Sequence, residues 1–132
     1  MASSLLEEAI ENYLRKQATL VKWIQSKIYW LDSPASVGYP YVTYKTIAGD
    51  AIDPRIGENS QKNAIIQFDA WGKDKLKILK ALNAIVDLIK DYTGSMDGVN
   101  VFYVNCGIVR PVHEPESGVF HFMLDTDWTY KE

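Results

Sequence analysis

A chain of 132 residues and 15.0 kDa is the right size for one domain, since domains usually run to roughly 100–200 residues. With 47% hydrophobic and 23% charged residues, it is excluded from the collagen-like, low-complexity and mainly disordered classes, because it has ample apolar material for a core. A net charge of −3 with no concentrated basic patch argues against a nucleic-acid binder.

Residues 4–24 read as a helix. Ser4 and Glu7 fit a capping box, and Leu6, Ile10, Tyr13, Leu14, Val21 and Ile24 recur at helical spacing. Acidic Glu7, Glu8 and Glu11 precede basic Arg15, Lys16 and Lys22, an order that suits the helix dipole. Lys27–Leu31 reads as a short strand ending before Asp32-Ser33-Pro34, and Tyr39–Ile47 as a second. The Gly-, Asp- and Pro-containing stretch 48–62 reads as a long loop. Asn63–Trp71 is a third strand, with Ala64, Ile66, Phe68 and Ala70 on one face and Gln67 and Asp69 on the other. A second helix is predicted over Lys73–Tyr92, with Leu76, Leu79, Leu82, Val86 and Ile89 as its apolar stripe, widened by Ile78 and Ile85, and with Gly94 as its C-cap. Val99–Arg110 reads as a fourth strand. Gly118–Tyr130 reads as a fifth, with Phe120, Phe122, Leu124, Trp128 and Tyr130 facing one way. The order α-β-β-β-α-β-β predicts a single α+β domain, with two helices packed on one face of a mostly antiparallel or mixed sheet.

The acidic start, Met1 to Glu8, does not resemble a signal peptide, and no apolar run approaches the about 20 residues of a membrane span. The expectation is therefore a chain that stays in the cytoplasm and does not engage a membrane. The single cysteine, Cys106, excludes an internal disulfide and a multi-cysteine zinc site, and it reads as a small buried hydrophobe.

Glycine-rich phosphate loops, nucleophile elbows and paired-histidine metal motifs are all absent. The best chemical constellation is His121, Asp125 and Asp127, which odd spacing places on one strand face. An imidazole and two carboxylates suit metal or acid–base chemistry, although alternation on an open sheet face explains them equally. His113 with Glu114 and Glu116 reads as a solvated turn, and Asp50, Asp53 and Glu58 miss the calcium-loop spacing. No catalytic residue, metal or cofactor is expected. Charge is unevenly spread. Residues 73–91 hold five Lys against three Asp, and residues 111–132 hold one Lys against five acids. Two patches of opposite sign on one small domain suit a head-to-tail contact between copies.

Several features together resemble a known family. An amphipathic helix leads to a short strand before a proline, and then comes Pro40-Tyr41-Val42-Thr43-Tyr44. A long polar loop follows, then Ile66-Gln67-Phe68-Asp69-Ala70-Trp71 running directly into a helix with Leu79 and Leu82, and two final strands. This layout resembles the tail-terminator (tail completion) proteins of long-tailed bacteriophages and prophages, with their related small tail-component family. The resemblance implies a structural protein rather than an enzyme. It would be a homohexameric ring that caps the tail tube, ends its polymerisation and presents the surface for the head–tail connector. It would reside in the virion tail, and in the bacterial host cytoplasm during assembly. Its expected partners are itself, the tail tube protein and the connector, with no sequence-specific nucleic acid. Lys73, Lys75 and Lys77 against Asp125 and Asp127 are the candidate subunit contacts, and Asp53, Arg55 and Glu58 lie in a loop able to order on a neighbour. Another neck or tail component, or a small α+β ligand-binding domain or enzyme, is the alternative.

Overall fold

A computed structural model describes residues 5–25, 27–31, 38–49, 61–112 and 118–131. The class is α+β, as expected, but among the described residues there are three helices and seven strands: α1 (Leu6–Arg15), α2 (Ala18–Ile24), β1 (Ile28–Trp30), β2 (Tyr41–Gly49), β3 (Lys62–Gly72), α3 (Lys75–Ile89), β4 (Gly94–Met96), β5 (Val99–Cys106), β6 (Arg110–Val112) and β7 (Phe120–Lys131). The sheet order is β1-β2-β3-β7-β5-β4, with β6 also paired to β7. The β1–β2 pair is parallel and all the others are antiparallel.

The single first helix is in fact two. The Gln17 side chain donates to Tyr13 O at 2.9 Å, taking the carbonyl that its own N–H would bind in a continuing helix, while that N–H turns to Leu14 O. This i→i−3 bond tightens the turn and ends α1. The Glu7 capping role also shifts by one residue. Ser4 lies outside the described residues, and Glu8 accepts from Leu5 N at 3.2 Å. Glu7 instead accepts from Thr46 Oγ1 at 2.6 Å, and its carbonyl accepts from the Tyr44 hydroxyl. At the outer edge of β1, Arg15 donates to Ile28 O, and Trp30 N donates to Glu11.

The predicted fourth strand is also interrupted. Cys106 pairs with Thr126 and Arg110 with Met123, so four steps on one chain oppose three on the other. The extra residue bulges over 107–109, and Gly107 N donates to Asp125 O at 2.8 Å. Beyond the bulge, β6 carries Pro111, which takes one N–H out of its row of donors.

β3 and β7 alternate as their sequences predict. Ala64, Ile66, Phe68 and Ala70, with Phe122, Leu124 and Trp128, form the buried face. Phe120 is the exception: it sits at the strand start, 42% exposed. Against this face pack Leu6, Ile10 and Leu14 of α1, Leu20 and Ile24 of α2, and Ile78, Leu82, Ile85 and Ile89 of α3. Leu76, predicted for the stripe, is 59% exposed, and Leu79 and Val86 are only half-buried. The helix begins at Lys75, capped by Asp74, whose carboxylate accepts from Leu76 N and Lys77 N, and its buried stripe starts at Ile78, which lies on the opposite side from Leu76. It ends at Ile89, and Asp91 (φ 56°), rather than Gly94, takes the left-handed position after it.

At the β3–α3 junction a glycine is required. A Cβ on Gly72 would lie 2.7 Å from Ile78 Cγ2 and 3.2 Å from Pro40 Cβ. Gly72→Ala is expected to cost about 1–3 kcal/mol by overpacking, measured as a lower urea midpoint.

Candidate functional site

The sheet face away from the helices carries His121, Asp125 and Asp127. Its centre is a cross-strand pair: His121 Nε2 lies 2.9 Å from Asp69 Oδ1, donating to the carboxylate. Both residues are buried, at 9% and 7% exposure. Gln67 donates to both Asp69 oxygens at 3.2 and 3.0 Å. The imidazole stacks on Trp71 with centroids 3.6 Å apart, because Trp71 and His121 are register partners. Trp71 in turn stacks on Tyr41, and Tyr41 on Tyr39. The row Tyr39, Tyr41, Trp71, His121 thus crosses three strands at one end of the sheet.

The predicted constellation of His121, Asp125 and Asp127 shares this face but does not converge. His121 is held by Asp69. Asp125 Oδ2 pairs with Arg110 at 2.9 Å, and Asp127 accepts from Asn63. Each acid is engaged by a different neighbour, and among the described residues no group of three His, Cys, Asp or Glu could hold a metal. Asp125 Oδ1 is buried without a hydrogen-bond partner. A cavity of about 380 Å³ lies beside His121, walled by Pro111, Val112, Val119, Phe120 and Phe122. Its described side chains other than His121 are apolar, and no nucleophile or second titratable group joins His121 among its described lining residues.

Cys106 is half-buried against the core. Burial, followed by the nearby Asp91 carboxylate, pushes its thiol up to about 11, the opposite of what a thiolate nucleophile needs. Burial also raises the Tyr44 hydroxyl, reinforced by Glu11 and Glu7.

Lys73, Lys75 and Lys77 are exposed at the start of α3, and no ion pair engages any of them among the described residues. Lys80, further along, sits over the Trp23 ring at 5.0 Å, with Lys22 on the same ring at 4.9 Å. Asp53, Arg55 and Glu58, like His113, Glu114 and Glu116, lie outside the described residues. Sequence reasoning missed Asp69 as the partner of His121. Its placement on the polar side of β3 was readable, but the adjacency of β3 and β7 was not. No described helix is long and apolar enough to cross a membrane.

No protein-family model matches the chain, and no curated protein matches it. Solved structures do. One further solved chain aligns with a TM-score of 0.54 at 12% identity, over 96% of this chain and 95% of that one. A chain described as "Virion of native gene transfer agent (GTA) particle" aligns with a TM-score of 0.75 at 12% identity, again over 96% of this chain and 95% of that one. At that identity the likeness is one of fold, and the fold is shared from end to end.

Proposed function

We propose that this chain is a structural protein of a phage-like virion and, within that class, a tail terminator. In this reading it forms a six-membered ring that caps the tail tube and offers a joining surface to the head–tail connector. The observation that carries the reading is the end-to-end fold match to a chain of a gene transfer agent virion. The sequence layout supports it, and so does the site chemistry, in which the carboxylates Asp69, Asp125 and Asp127 of the open face are each tied to a different neighbour rather than arranged around a substrate. A ring also requires two different patches on each copy. The exposed lysines at the start of α3 supply one.

Light scattering over a range of protein concentrations tests this. Six copies of a 15.0 kDa chain give about 90 kDa, the expected mass. Open polymers would point to a tube subunit instead. A monomer at every concentration that also fails to bind purified tail tubes overturns the reading.

A further inference from the structure

The charges on α3 oppose the preference of an isolated helix. Its first turn has no acid and its last turn no base. Lys73, Lys75 and Lys77 crowd the start, and Asp87 and Asp91 lie at the end, all exposed. Lys90 is the only cation among those end positions. Asp97, also exposed, follows in the β4–β5 turn, where Oδ2 accepts from the neutral Asn12 amide at 2.6 Å and its charge stays uncompensated by any described ion pair. Asp74 is spent on the cap, accepting from the Leu76 and Lys77 amides. Backbone amides already make a helix start positive and its end negative, so these side chains add to the macrodipole instead of offsetting it. In the monomer that arrangement is unfavourable. Between copies it is favourable, because each helix offers a positive end and a negative end about 22 Å apart, the length of its 15 residues. By contrast, α1 follows the ordinary order, with Glu7 and Glu8 first and Arg15 last.

We propose that copies of this chain associate head to tail through α3, with Lys73, Lys75 and Lys77 of one copy against Asp87, Asp91 and Asp97 of the next. The partner is a second copy because the same surface carries both complements, separated along one helix. That separation makes the contact heterologous, and a heterologous contact closes into a ring or grows as a filament. Leu76, 59% exposed between the lysines, adds an apolar anchor at the contact centre. The structure also shifts the expected complement. Asp125 is already paired with Arg110, whereas Asp87 and Asp91 make no ion pair among the described residues. This inference rests on the self-association proposed above and locates it.

Two charge-reversed variants, K75E/K77E and D87K/D91K, test the proposal in the full-length chain. The parent is expected to self-associate at low ionic strength and to weaken as salt rises, since exposed charges are screened over about 10 Å at 0.1 M. Each variant alone should need at least about tenfold more protein to associate, a change equivalent to 1.4 kcal/mol. An equimolar mixture should regain the parent's assembly, because each variant then carries the complement of the other. K75E/K77E should also melt higher than the parent monomer, which separates lost association from lost folding. A parent that stays monomeric at low salt overturns the proposal, as do variants that assemble like the parent or a mixture that does not recover. If a mass near 90 kDa persists in both variants, this contact fails and the ring reading stands. If the swap rescues assemblies of another size, the contact stands and the six-membered ring fails.

Discussion

Trp128→Ala is expected to destabilise the fold by about 3–5 kcal/mol, the range for emptying a large aromatic site in a core. Trp128 is fully buried and sits where β7 meets both β3, opposite Ala64, and β5, opposite Val104. The small residue opposite leaves room for the indole. The ring also completes a polar relay: Nε1 donates to Thr126 Oγ1 at 2.7 Å, and that hydroxyl donates to Ile66 O at 2.8 Å. Removing the indole therefore opens a cavity and strips a buried acceptor of its donor. The check is urea denaturation, with the midpoint falling while the slope holds. Trp128→Phe should cost less, about 1–3 kcal/mol, since it mainly loses the buried hydrogen bond.

His121→Ala is expected to cost about 3 kcal/mol, the scale for taking a hydrogen-bond donor from a buried carboxylate and emptying part of a packed site. The loss combines the bond to Asp69 with the stack on Trp71. Gln67 would remain on the carboxylate, but its neutral amide does not replace an imidazole N–H bonded to a buried charge. The double variant D69L/H121L should be less destabilised than the sum of the single variants D69L and H121L, because neither member of the pair is left facing an apolar replacement. Thermal melts of the four proteins of that cycle decide it, and strict additivity would mean that the two residues do not stabilise one another.

The strong periodicities were legible. β3 and β7 alternate as their residues require, and the buried stripe of α3 runs through Leu82, Ile85 and Ile89. Three features were not. The α1–α2 break depends on one glutamine amide diverting a carbonyl, and a helix pattern runs straight through that position. The bulge after Cys106 is set by pairing with β7, a partner far along the chain. Leu76 is apolar and three residues before Leu79, yet successive steps of three drift around the helix, and at 3.6 residues per turn Leu76 lies almost opposite Ile78, Leu82, Ile85 and Ile89. The site follows the same rule. His121 and Asp69 were each placed on the polar side of a strand, but only the strand order makes them a pair. Their cross-strand register has no signature in either local stretch.

The treatment of the sheet margins has a consequence for how this protein behaves in a crowded cell. An open strand margin is a template for uncontrolled growth, adding any extended chain through backbone bonds that neither salt nor sequence regulates. Here Arg15 and Glu11 occupy the outward carbonyl and amide of β1, and Pro111 interrupts β6. At those two margins strand addition is disfavoured, so any association there falls to side chains and becomes sensitive to ionic strength.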